Sequence, residues 1–145
     1  VKQLTKIIFN PGNYERKLNI VFLILRLAVG ALMLTHGLGK FSKLFGDGPI
    51  QFADPIGIGA TASLALAVFS EVFCSILIIL GLGTRLAAVP LLITMLVAAI
   101  VIHANDPFGK QELPLLYTAI YFVIAFAGAG TISIDNWIYT KTNSN

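Results

Sequence analysis

The sequence predicts an all-α protein, an integral membrane four-helix bundle with both termini cytoplasmic. Three observations lead there. Of the 145 residues, 57% are hydrophobic and 12% charged, whereas a soluble domain averages about 25% charged residues. That shortfall requires much of the surface to face lipid. Four apolar stretches, about 19–41, 59–82, 86–103 and 113–134, are each long enough for a spanning helix and alternate with polar, turn-rich segments. With four spans, the amino end, the turn at 83–85 and the carboxyl end share one side. That side holds six basic residues (Lys2, Lys6, Arg16, Lys17, Arg85 and Lys141) against three (Lys40, Lys43 and Lys110) on the other, so it is the cytoplasmic one.

Residues 1–18 form a mixed segment in which Ile7, Ile8 and Phe9 precede the Asn10-Pro11-Gly12 turn. A short helix on the membrane surface and a solvated tail both fit it. The 19–134 membrane domain opens with a stretch carrying Arg26, His36 and Lys40. A cation at the centre of a spanning helix costs at least about 2.5–3.5 kcal/mol unless it snorkels or meets a partner. As a helix, Arg26, Gly30, Met33, Gly37 and Lys40 recur in steps of four and three, one stripe turned toward other helices. The connection at 42–58 carries two turn signals, Gly46-Asp47-Gly48-Pro49 and Pro55-Ile56-Gly57, and enough apolar residues to pack over the helix ends.

In the second span Gly59, Ser63, Ala67, Glu71 and Ser75 follow at successive i+4 steps, a small-residue stripe with one ionisable group. Glu71 should therefore face protein. Gly83-Thr84-Arg85 implies an antiparallel helical hairpin. The third span tolerates Pro90 in its first turns and ends at His103. The fourth begins with Tyr117 and Tyr121 nearby and ends among Gly128 and Gly130, before a tail at 135–145 anchored by Trp137 and Tyr139.

Several chemistries are excluded. Cys74 is the single cysteine, so this chain forms no internal disulfide or CxxC redox pair. Nucleic-acid binding is not indicated, since no basic run is interleaved with aromatics. The stretch GLGKFSKLFGDG lacks phosphate-loop spacing and follows no strand. The first apolar stretch runs to 23 residues without an A-x-A-like site after it, and is expected to stay in the mature protein.

The polar residues can be placed by depth. Arg26 lies roughly 10 Å and Glu71 roughly 16 Å from the cytoplasmic ends of their spans, so a buried Arg26–Glu71 pair is the simplest way to satisfy both. Such a pair is either a structural register lock or part of a redox or proton relay. His36, Lys40 and His103 gather at the outer end, near Asp106 and Glu112. Two imidazoles could ligate haem or a metal, but with no closer cluster the pattern favours contact with a quinone or small substrate, or interfacial packing. No metal site and no covalently bound cofactor are expected.

Arg26 with Gly30, the segment His36-Gly37-Leu38-Gly39-Lys40-Phe41, Glu71, and the run Leu80 to Ala88 (LGLGTRLAA) together resemble the DoxX family from about Leu23 to Gly130. The resemblance implies a small, multi-pass protein of the bacterial inner membrane, linked to membrane oxidoreductase assemblies such as thiosulfate:quinone oxidoreductase. The expectation is a quinone-interacting subunit of such an assembly. Arg26 and Glu71 would form the inner polar pair, and His36, Lys40 and His103 the quinone-binding mouth. Its partners would be lipid, a quinone, and a protein partner or a second copy. A non-catalytic scaffold or assembly subunit is the alternative, and a small-solute carrier a weaker one, because four spans show no visible repeat. Whether the chain is itself an enzyme stays open.

Overall fold

The computed structural model describes residues 2–143, without the Lys2 side chain; residues 1, 144 and 145 of the two terminal segments lie outside the described residues. All described secondary structure is helical. A short helix α1 (Lys2–Ile8) precedes α2 (Arg16–Leu44), α3 (Ala60–Leu80), α4 (Thr84–Ile102), α5 (Phe108–Ala127) and α6 (Ile134–Asn143). Helices α2, α3 and α4 are long and apolar enough to cross a membrane. α5 packs along α4 and completes the bundle. Its first turns carry Lys110, Gln111 and Glu112, which dilute its hydropathy, yet its 20 residues reach about 30 Å, the thickness of a hydrocarbon core.

The outward faces are apolar, with Ile24, Leu32, Leu66, Ile93, Phe122 and Phe126 all at least half exposed. A surface this apolar on a single chain is a lipid-facing one. The buried centre is Met33, Cys74, Ile78, Leu91, Tyr121 and Ile124, drawn from all four long helices.

Both expected stripes are buried. On α2, Arg26, Gly30, Met33 and Gly37 are inside; on α3, so are Ser63, Ala67, Glu71 and Ser75, while Gly59 stays at the exposed helix start. The glycines are there for contact. A Cβ on Gly37 would lie 2.9 Å from the Glu71 carbonyl oxygen, and one on Gly30 would lie 3.2 Å from that of Ser75. α2 and α3 therefore run antiparallel in backbone-to-backbone contact, as small residues permit in lipid.

An α-helix cannot keep an exact i+4 series on one face, because each four-residue step overshoots by about 40°. α3 resolves this with a π-helical turn at Phe69–Cys74. The wider turn winds less per residue and takes the drift back, so Glu71 and Ser75 stay on the face toward α2. A second π-helical stretch, Ala98–Ile102, ends α4.

Three boundaries differ from expectation. The first helix is longer, Arg16–Leu44 in place of 19–41. The fourth begins at Phe108 and stops at Ala127 instead of reaching 134, because Gly128 takes φ +88° and turns the chain. The 135–145 tail carries the helix α6, which begins at Ile134 and sets Lys141 over the Trp137 ring at 4.1 Å. Pro90 sits one turn deeper than a helix start, since α4 begins at Thr84, and so leaves a carbonyl of the preceding turn without its usual partner.

α1 and α6 pack together, which places both described termini at the end of the bundle that holds the Gly81–Gly83 turn. Cysteine labelling in intact cells assigns the side. Asp47→Cys is expected to react with an impermeant maleimide and Asn143→Cys to be protected until lysis; the reverse pattern inverts the topology.

Candidate functional site

Charged side chains inside the bundle fall into two separate groups, one toward each end. The first surrounds Arg26, which is 1% exposed. Its guanidinium donates to the Ile78 carbonyl at 3.3 Å and the Ile132 carbonyl at 2.6 Å. These are the last turn of α3 and the loop before α6. Gly81 takes φ +67°, and a side chain there would overlap the guanidinium, so glycine serves both the left-handed turn and the space. Asp135, also 1% exposed, accepts from the Gly83 and Thr84 amides at 2.6 and 3.0 Å and caps α4. Asn19 accepts from the Thr131 amide at 2.8 Å, and Arg85 donates to the Asn10 and Ala127 carbonyls at 3.2 and 3.3 Å. This knot ties the terminal segments to the helix ends.

The Arg26–Glu71 pair is therefore corrected: the two groups do not meet. Gly37 is opposite Glu71 in the antiparallel contact, and Arg26 lies eleven residues earlier on α2, roughly 16 Å along the axis. The guanidinium reaches the nearer helix end, where terminal carbonyls need donors. The partner of Glu71 is Lys40, whose ammonium forms an ion pair with Glu71 Oε1.

That pair begins the second group and borders a cavity of about 600 Å³ between the α2 end, α3, α4 and the connection at 52–56. Glu71 is 1% exposed and lies on the π-helical turn; Lys40 is about one-third exposed. The walls are largely apolar, with Phe52, Pro55, Phe69 and Pro90 among them. Leu66, Phe69 and Ile93 line the cavity and are also about half exposed on the lipid-facing surface, so the cavity opens sideways between α3 and α4. π-helical turns recur at functional sites because they reposition a side chain without ending the helix.

Of the other expected site residues, His103 lines the cavity and His36 does not. His103 Nδ1 lies 2.7 Å from Asp106 Oδ2. The His103 hydrogen bond, assisted by Lys110, holds the Asp106 carboxyl below its ordinary range, so the carboxylate accepts and Nδ1 carries the proton. His36 is exposed and meets Tyr117 edge-on, ring centroids 6.1 Å apart; one residue before Gly37 and so about 100° round the helix, its side chain leaves the α3-facing stripe. The two imidazoles thus have separate surroundings. Among the described residues no group of three His, Cys, Asp or Glu side chains is placed to hold a metal ion. Cys74 is buried in the apolar core.

Three participants escaped the sequence reading. Ser70, buried beside Glu71, lines the cavity. Asp54 accepts from the Ile58 and Gly59 amides at 3.0 and 2.8 Å and from the Ser63 hydroxyl at 2.7 Å, pinning the cavity-covering connection to the start of α3. Asp135 caps α4 from beyond the fourth helix. A signal for Ser70 existed: three exact i+4 steps through Glu71 demand a wider turn there, which brings the neighbouring residue inward. Asp54 and Asp135 had none beyond their nearness to helix starts.

The sequence model of the DoxX family matches residues 21–104. The chain is 46% identical over 128 residues to an uncharacterized membrane protein of Mycobacterium tuberculosis, covering 77% of each chain. It is 29% identical over 133 residues to the Bacillus subtilis protein named "Putative oxidoreductase CatD", covering 90% of this chain and 97% of that one. It is 30% identical over 127 residues to the inner membrane protein YphA of Escherichia coli, covering 80% and 89%. No solved structure gives a significant match.

Two predictions follow from the separation of the groups. Arg26→Met should destabilise the protein in detergent by about 2–5 kcal/mol, by stranding buried carbonyls. Its effect should add to that of Glu71→Gln within about 0.5 kcal/mol, whereas Lys40→Met and Glu71→Gln should be strongly non-additive. A double-mutant cycle by thermal or chemical unfolding decides between the two pairings. The second concerns Asp54, whose carboxyl is held below its ordinary range by the Ser63 hydroxyl and the Gly59 amide. A depressed folded-state pKa means that this latch is present at neutral pH and is lost as pH falls through that value, below about 4. Hydrogen exchange at 52–59 should accelerate over that window in wild type and be fast at all pH values in Asp54→Asn.

Proposed function

The chain belongs to the DoxX family, and we propose that it acts as a quinone-interacting subunit of a membrane oxidoreductase assembly in a bacterial inner membrane, with both termini cytoplasmic. The observation that carries this reading is the Lys40–Glu71 ion pair at the wall of an apolar cavity open to lipid. A lipid-soluble quinone needs both features: a sideways route for its tail and a polar end for its head group. Lys40 and His103 are the cationic and imidazole contacts at the mouth. Glu71 is the group that accepts or returns the proton accompanying a redox change of the head group, while a partner protein exchanges the electrons. The name of the Bacillus subtilis relative supports a redox setting.

In this reading Arg26 and His36 leave the ligand site. Arg26 holds the cytoplasmic knot together, a structural part that a scaffold subunit would also need.

Thermal unfolding in mild detergent tests the proposal. A short-tailed quinone couple, supplied oxidised and reduced, should raise the melting temperature in at least one form, because a ligand bound only to the folded state stabilises it. Lys40→Met should lose most of that increase; because it also leaves the buried Glu71 carboxylate without its partner, it should lower the ligand-free melting temperature too, so the quantity compared is the ligand-induced shift in each protein. If neither redox form stabilises the wild type, the scaffold reading stands in its place.

A further inference from the structure

Resting on the quinone reading and narrowing it, we propose that the cavity selects a head group that donates a hydrogen bond, a phenolic hydroxyl, so that the reduced member of a quinone couple is its ligand. Glu71 Oε1 is taken by Lys40, but Oε2 is buried with no hydrogen-bond partner among the described residues. The adjacent Ser70 hydroxyl, 1% exposed, has none either; the buried Ser75 and Tyr121 hydroxyls are also unpartnered, but of the three only Ser70 lines the cavity. Both residues line the cavity from the π-helical turn.

The carboxylate of an ion pair can only accept. A quinone presents only carbonyl oxygens, and against Oε2 it would set acceptor to acceptor, leaving a buried charged oxygen without a donor. Lys40 or Ser70 could still donate to such a carbonyl, but the stranded carboxylate oxygen outweighs a bond gained elsewhere. A phenolic hydroxyl resolves both open positions at once. Its O–H donates to Glu71 Oε2 and its oxygen accepts from the Ser70 hydroxyl. The flat faces of Phe52, Phe69 and the two prolines in the wall favour a ring over a flexible alcohol. Sites built around a buried acceptor discriminate strongly against analogues lacking the matching O–H.

The test uses the full chain in detergent, with Kd read from ligand-dependent thermal unfolding. Four probes are compared: a short-tailed hydroquinone, its dimethyl ether, the corresponding quinone kept oxidised, and a long-chain aliphatic alcohol. The hydroquinone should bind about ten- to a hundredfold more tightly than each of the others. Glu71→Gln, whose amide can donate to a carbonyl, should shrink or invert the preference for hydroquinone over quinone. If that variant does not fold, Ser70→Ala keeps the test readable, because it removes one buried oxygen and should weaken hydroquinone binding severalfold. Equal or tighter binding of the quinone or the dimethyl ether overturns this inference and leaves the quinone reading in place. Equal binding of the aliphatic alcohol overturns the phenolic assignment. Failure of both redox forms to bind overturns the inference and the quinone reading together.

Discussion

Gly30 and Gly37 let α2 lie against the backbone of α3, and that one close approach sets the positions of Arg26, Lys40 and Glu71 relative to one another. With Gly37 opposite Glu71, Lys40, one turn further along α2, comes to the same level as the carboxylate. Arg26, three turns earlier, is carried to the other end, against the last carbonyls of α3. A helix pair held apart by larger side chains would leave both cations far from their partners. In lipid the alternative for such groups is hydrocarbon, so the small-residue contact and the ionic pairing depend on one another.

The two polar groups differ in what satisfies them and in what lies beside them. At the knot around Arg26, backbone carbonyls and amides from four parts of the chain are matched by Arg26, Asp135, Asn19 and Arg85. Arg26 Nε and the Thr84 hydroxyl are nevertheless buried there without a partner among the described residues. Beside the cavity, Glu71 Oε2 and the Ser70 hydroxyl are buried without partners among the described residues, in two residues that line it. Buried polar atoms in native proteins are paired as a rule, and the proposed ligand would supply partners to those at the cavity wall.

The π-helical turn connects these two facts. It keeps the small-residue face of α3 against α2, and it brings Ser70 and Glu71 together at the cavity wall. A local widening of one helix thereby serves close packing on one side and a binding surface on the other. The connection at 52–56 closes the outer side of that volume, held by Asp54 to the start of α3. This latch is built from a loop carboxylate and helix-start amides, so it can open without disturbing the spans.

By itself the sequence determined the membrane setting, the four long helices, the two inward stripes and the residues from which the buried charges come. These are properties of hydropathy and of helical period, which act within each segment. It could not decide which charge meets which. Lys40 and Arg26 lie on the same stripe of α2, and depth counted from assumed helix ends cannot rank them as partners for Glu71. Only the register of α2 on α3 does so, because it depends on where two glycines find a backbone to touch. The same holds for His36, one residue before Gly37 and turned toward Tyr117, and for Asp135, whose partners lie about fifty residues earlier in the chain. Their roles arise from long-range contact, and tertiary packing alone brings those contacts about.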